Sequence, residues 1–159
     1  GRADRLGRVV AVSVIAVPLM LVYLVGSVWY LDRWDTLPAA AGVTLGTYLT
    51  ALGVSSVASA RFVYPVPKHG ESAFATPQGA TTATLLVQTA GAAVLAALTL
   101  PHVGLGIASL VTGNAALGWA TLVVGVALGT VLLVVGVRIG SRVYDARSTD
   151  LMEQVTALA

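Results

Sequence analysis

Side chains able to carry chemistry are sparse in this sequence: seven acidic residues, two histidines and no cysteine among 159 residues. General acid–base catalysis needs such groups within reach of one reacting atom, and a metal site needs several ligands converging on one point. His102 stands beside Pro101 with no carboxylate at helical or turn spacing, so we read it as a membrane-interface residue and not as a relay or ligand. Serines and threonines are scattered without a nearby histidine. No glycine-rich loop ending in Lys-Ser or Lys-Thr offers a phosphate cradle. Missing cysteine excludes disulfides, thiolate zinc sites and iron–sulfur clusters within these residues. The chain is therefore expected not to be an enzyme, and to bind no metal or cofactor itself.

The more informative pattern is in the glycines. Gly118, Gly125, Gly129, Gly136 and Gly140 follow one another at spacings that, at 100° per residue, keep all of them within an arc of roughly 60° on one helix. Gly42, Gly46, Gly53, Ser56 and Ala60 form a broader small-residue face on another, again starting with a GxxxG pair. Such faces let helix backbones approach closely in lipid, where dispersion holds them. They fit packing inside one bundle, a dimer seam between subunits or the wall of a substrate path. Tyr23, Tyr48 and Gln88 are the uncharged polar candidates for lining such a path.

These residues sit on elements that composition assigns to a membrane. The chain is 57% hydrophobic and only 10% charged, against about one quarter charged in soluble domains. Its apolar runs are each long enough to cross a hydrocarbon core about 30 Å thick. We expect an all-α polytopic membrane protein with four transmembrane helices, at residues 9–31, 37–60, 80–100 and 115–137. Pro18 is expected to kink the first, with the freed carbonyl of Val14 satisfied by a neighbouring helix or by the Ser13 hydroxyl. Trp29, Tyr30 and Trp34 form an aromatic belt at its far end. Residues 101–114, PHVGLGIASLVTGN, are too short to cross and rich in helix breakers, so they read as a re-entrant or interfacial segment before the last helix. The tail 138–159 is polar, and its last part fits an amphipathic surface helix.

Orientation follows from the distribution of positive charge. Arg2, Arg5, Arg8, Arg61, Lys68, Arg138, Arg142 and Arg147 fall on one side of these spans, and Arg33 alone on the other. Both termini and the 61–79 loop are thus expected in the cytoplasm, with 101–114 facing outward. The net charge of +2 is spread between spans, which argues for membrane orientation and against nucleic acid as a partner. No acidic or basic residue falls inside an expected span. Ion-coupled pumps retain such groups there despite their cost, so a self-contained proton or sodium transporter is disfavoured.

The loop itself, RFVYPVPKHGESAFATPQG, is longer than two antiparallel spans require. Its prolines make the exit from the membrane stiff and extended. Arg61, Tyr64, Pro65, Pro67 and Lys68 are its candidates for partner contact, against a plain connecting role. Ser56, Val57 and Ser59, then Tyr64, Pro65 and Pro67, then Gly136, Arg138, Gly140 and Asp145 carry a resemblance that covers most of the chain. The pattern resembles the C-terminal part of actinobacterial exporter-type ABC transporter permeases.

That resemblance implies a membrane subunit paired with a second permease half or a homodimer partner in the bacterial inner membrane. A cytoplasmic ATP-binding subunit, holding the ATP and magnesium, would drive export of a hydrophobic compound, drug or lipid. It also implies a re-entrant outer segment before the last helix of a six-helix unit. The chain, which starts GRADRLGR without methionine, would then supply the last four helices of a longer permease. Its main ATPase-contacting helix would lie upstream. The alternative from the same features is a non-catalytic structural or assembly subunit of a larger membrane complex. A membrane enzyme ranks third, for want of an acid and base pair.

Overall fold

The computed structural model describes residues 2–61 and 80–157. Within them the chain forms α1 (Arg2–Tyr30), a 3-10 turn at Trp34–Thr36, α2 (Leu37–Arg61), α3 (Ala80–Thr112) and α4 (Ala115–Ala157). All four helices contain stretches long and apolar enough to cross a membrane: Leu6–Tyr30, Trp34–Arg61, Leu85–Thr112 and Ala115–Ala146. Tyr64, Pro65, Pro67 and Lys68 lie outside the described residues. Arg61 is the last residue of α2.

Local chemistry explains the helix ends. At the end of α1, Asp32 takes φ 50°, in the left-handed region. Arg33 N donates to Val28 O at 3.0 Å and Asp32 N to Trp29 O at 3.2 Å, the paired bonds of a Schellman cap. Asp is among the few non-glycine residues that tolerate this conformation. Asp35 then receives Arg33 Nε at 3.1 Å and Nη2 at 3.3 Å, tying the short turn across itself.

The third span and the segment after it differ from the sequence expectation. Residues 101–114 do not form a separate re-entrant element. α3 runs unbroken through Pro101 to Thr112, and its membrane-length apolar stretch is Leu85–Thr112, not 80–100. Pro101 is on the exposed side of the helix while the next residue, His102, is fully buried. A proline inside a helix forfeits one hydrogen bond, here the one to the Ala97 carbonyl, at a cost of about 3 kcal/mol. The helix nevertheless continues, with Thr99, His102, Gly106 and Ser109 buried along one stripe, as proline is tolerated in membrane helices packed against neighbours. The only residues that break the helix are the last two. Gly113 takes φ +66° and its N–H donates to Ser109 O at 2.9 Å. Asn114 caps α4 by accepting the Ala116 N–H at 2.9 Å. A connection this tight makes α3 and α4 antiparallel neighbours.

The last span also continues past its expected end. Val137 does not terminate it, because α4 is one helix of 43 residues, about 65 Å at 1.5 Å per residue. That is roughly twice a hydrocarbon core. In α1, Pro18 is likewise accommodated within a continuous helix, and the Ser13 hydroxyl is engaged elsewhere, 2.9 Å from the Tyr48 hydroxyl of α2.

The core is a seam between α2 and α4, with α3 packed against both and α1 attached more loosely. Among the described residues of α1, Val28 is the one large apolar residue that is buried. Valines, leucines and aromatics cover the rest of its surface, as suits a face in contact with lipid or other membrane helices.

Candidate functional site: the glycine seam and the groove beside it

The seam fixes where α2 and α4 lie. A Cβ built on Gly42 would come within 2.5 Å of Thr121 O and Leu122 N, and one on Gly46 within 2.8 Å of Gly125 Cα. One on Gly53 would come within 2.6 Å of Leu132 O. In the other direction, Gly125 abuts Gly42 O, Gly129 abuts Gly46 O and Gly136 abuts Gly53 O. Contact positions rise together along both helices, so α2 and α4 are parallel. Each contact is backbone on backbone, and no side chain can rotate away to make room. The glycine faces at Gly42, Gly46 and Gly53 and at Gly125, Gly129 and Gly136 therefore meet within one chain. Gly118 sits at the end of the same face, against Ser109 Oγ and Ala39, and Gly140 is buried at the other.

α3 meets this pair at one end only. Near Gly113, Gly106 approaches Val43 and Thr121, its hypothetical Cβ lying 2.6 Å from Val43 Cγ2 and 3.5 Å from Thr121 Cγ2. His102 is fully buried one turn away, which corrects its reading as an interface residue. Its Nε2 is 3.3 Å from Thr47 Oγ1, while its Nδ1 is buried with no hydrogen-bond partner. Thr50 donates to Gly46 O at 2.8 Å and Thr121 to Leu117 O at 2.7 Å. Ser109 donates to Asn114 O at 3.1 Å. The hydroxyls here are mostly absorbed by their own helices, and the His102–Thr47 contact crosses from α3 to α2.

Toward Arg61 the arrangement changes. There α3 stands off from the seam, and an open groove of about 600 Å³ lies between α2, α3 and α4. Its walls are Gly53, Val54, Val57 and Ala58 of α2, Leu86, Val87, Ala90, Gly91, Val94 and Leu98 of α3, and Leu132, Val135, Gly136 and Ile139 of α4, with Arg61 at one end. Gly91 faces this space, and a Cβ added to it would meet nothing within 4 Å. On the opposite side of the seam, a smaller and more polar notch of about 250 Å³ is bounded by Arg8, Ser55, Ser56, Ser59 and Tyr144.

The three residues considered for a polar path are not gathered into one. Tyr48 is half-buried against Ser13. Tyr23 is 79% exposed and ten residues further along α1, about 15 Å away in axial level. Gln88 is exposed on α3. Among the described residues no group of three or more His, Cys, Asp or Glu is placed to hold a metal ion.

Two features were not found by sequence reasoning. The groove is lined by valines and leucines indistinguishable in the sequence from those facing lipid, and only the placement of the three helices marks it out. The buried stripe Thr99, His102, Gly106, Ser109 did carry a signal, since small and polar residues recur there at helical spacing. The glycines and the proline in the same segment masked it. No family model matches this chain, and no curated protein or solved structure matches it.

Proposed function

We propose that this chain is the membrane-embedded permease part of an ATP-driven exporter for a hydrophobic compound, drug or lipid. The groove between α2, α3 and α4 is the observation that carries this reading. It is apolar, open, large enough for a small amphipathic molecule, and bounded by two helices locked to each other and a third that is not. The sequence supports the same conclusion. In the membrane-length stretches the acidic and basic residues lie toward the ends, and the buried His102 of the third stretch bonds to Thr47 and to no carboxylate. That is a poor set of groups for coupling an ion gradient, so on this reading the energy is supplied from outside the chain, by a cytoplasmic ATP-binding subunit carrying ATP and magnesium. On this reading the protein lies in a bacterial inner membrane, as the resemblance implies, with both termini and Arg61 on the cytoplasmic side that the positive-inside count favours.

Gentle detergent extraction from the native membrane tests this reading. An ATP-binding subunit and ATPase activity are expected to co-purify with the chain. If extraction yields the chain without either, under conditions that keep other membrane complexes intact, the proposal is wrong.

One observation favours a second reading, a structural or assembly subunit without a transport path. α1 buries little besides Val28 and presents a nearly continuous apolar surface, which suits docking to further membrane helices. Under that reading the same extraction yields a larger complex lacking ATPase activity.

A further inference from the structure

The groove has a polarity along its length. On α2, Val54, Val57, Ala58 and Arg61 line it at helical spacing, so the stripe ends in an arginine. On α4, Val135 and Ile139 line it, and Arg142 follows on the same face, seven residues after Val135 and one turn after Ile139. Arg142 is exposed. Because Gly53 abuts Gly136, Arg142 and Arg61 lie about 9 and 12 Å beyond that contact, at the same end. Arg138 lies there too, and between 53–61 and 136–146 the only acid against these three arginines is Asp145. Arg61 already interacts within the protein, but a guanidinium has five N–H donors, so an added anion extends that interaction and does not have to replace it.

The length of the groove matches one leaflet. From Leu86 to Leu98 it spans about 18 Å at 1.5 Å per residue, against about 15 Å for half of a 30 Å hydrocarbon core. A site that is basic at the interface and apolar to roughly the midplane is complementary to one acyl chain under an acidic head group. Arginine is suited to such a head group because its planar fork binds phosphate oxygens in pairs.

We propose that the groove binds an anionic phospholipid from the leaflet facing Arg61, with one acyl chain along Val57, Gly91 and Val94 and the phosphate between Arg61 and Arg142. This inference rests on the reading of the groove as a ligand site, and names the ligand's chemistry. It needs no ATPase.

The test is native mass spectrometry of the detergent-purified chain, with any subunits that accompany it, after exposure to equimolar phosphatidylglycerol and phosphatidylcholine. Phosphatidylglycerol is expected to be retained about tenfold over phosphatidylcholine, the effect of one charge-assisted hydrogen bond, and this preference shrinks as salt is raised. The double variant Arg61→Gln/Arg142→Gln should bring the ratio to within about twofold while leaving total lipid nearly unchanged. Gly91→Leu fills open space, so it should fold normally and lower retention of both lipids together. Should Gly91→Leu extract poorly, Leu86→Trp, on the same wall, takes its place. Equal retention of the two lipids by the unaltered chain overturns the proposal. So does a preference that survives loss of both arginines, or total binding that survives filling of the groove. An ATPase that co-purifies while these lipid results fail would leave the permease reading standing and remove this inference alone.

Discussion

At the end of the bundle near Gly113, α3 lies against the α2–α4 pair along Thr99, His102, Gly106 and Ser109. At the end near Arg61 it contributes Leu86, Val87, Val94 and Leu98 to the wall of a groove. Both halves of α3 are apolar overall and both contain glycine. The difference lies in what the facing stripe meets: Thr99, His102, Gly106 and Ser109 are buried, while the groove stripe, which also includes Ala90 and Gly91, borders open space. Small or hydroxyl-bearing residues let the backbones close up, as Gly106 does on Val43. Around Gly91, Leu86 and Val94 stay half or more exposed, and Gly91 faces space instead of a partner. In a bilayer no hydrophobic force drives helices together, so side-chain size on the contact face largely decides between closure and a gap.

Substitutions can break or sharpen this contrast. The largest effect is expected from Gly125→Leu, which drives a side chain into the Gly42 carbonyl. It should cost more than about 3 kcal/mol, beyond ordinary overpacking because backbone cannot rotate aside, and show as loss of a monodisperse peak on extraction. Next is His102→Ala, which removes a fully buried ring and its bond to Thr47. It should lower stability in a detergent-unfolding titration by about 2–3 kcal/mol. Thr47→Val keeps the shape and deletes only the cross-helix bond. Bonds of this kind in membrane proteins average about 0.6 kcal/mol, and the same titration should read a loss of that size. Tyr48→Phe, losing the contact with Ser13, should fall in the same range or below. Gly91→Leu should lie within about 0.5 kcal/mol of the unaltered protein. If Gly91→Leu proved as damaging as Gly125→Leu, the space beside Gly91 would not be the open counterpart of the closed glycine seam.

Much of the fold is legible in the sequence. α2 begins at the expected residue, and α1 and α2 both end within one residue of their expected limits, where charged and turn-forming residues follow, but α1 starts at Arg2 and not at 9, because arginines and an aspartate do not by themselves stop a helix. The segment from Pro101 to Asn114 was misread for a physical reason. Proline and glycine are breakers by local propensity, and here a tertiary stripe containing His102 and Ser109 outweighs that propensity, leaving only Gly113 and Asn114 to end the helix. The same packing explains His102. Its lack of a carboxylate neighbour argued against a relay, but sequence spacing could not show that Thr47, from another helix, reaches its Nε2.

What the sequence determined by itself is the set of membrane-length apolar runs, the glycine faces and the side on which the arginines collect. All three are periodic or compositional properties carried within single helices. Tertiary structure alone decided which faces meet. Gly42, Gly46 and Gly53 pair with the glycines of α4 within one chain, the packing inside one bundle that the sequence favours over a dimer seam or a substrate path without fixing which faces are partners. It also decided that a valine and leucine surface becomes a groove with Arg61 at one end, since the gap between two helices is a property of their separation and of neither sequence alone.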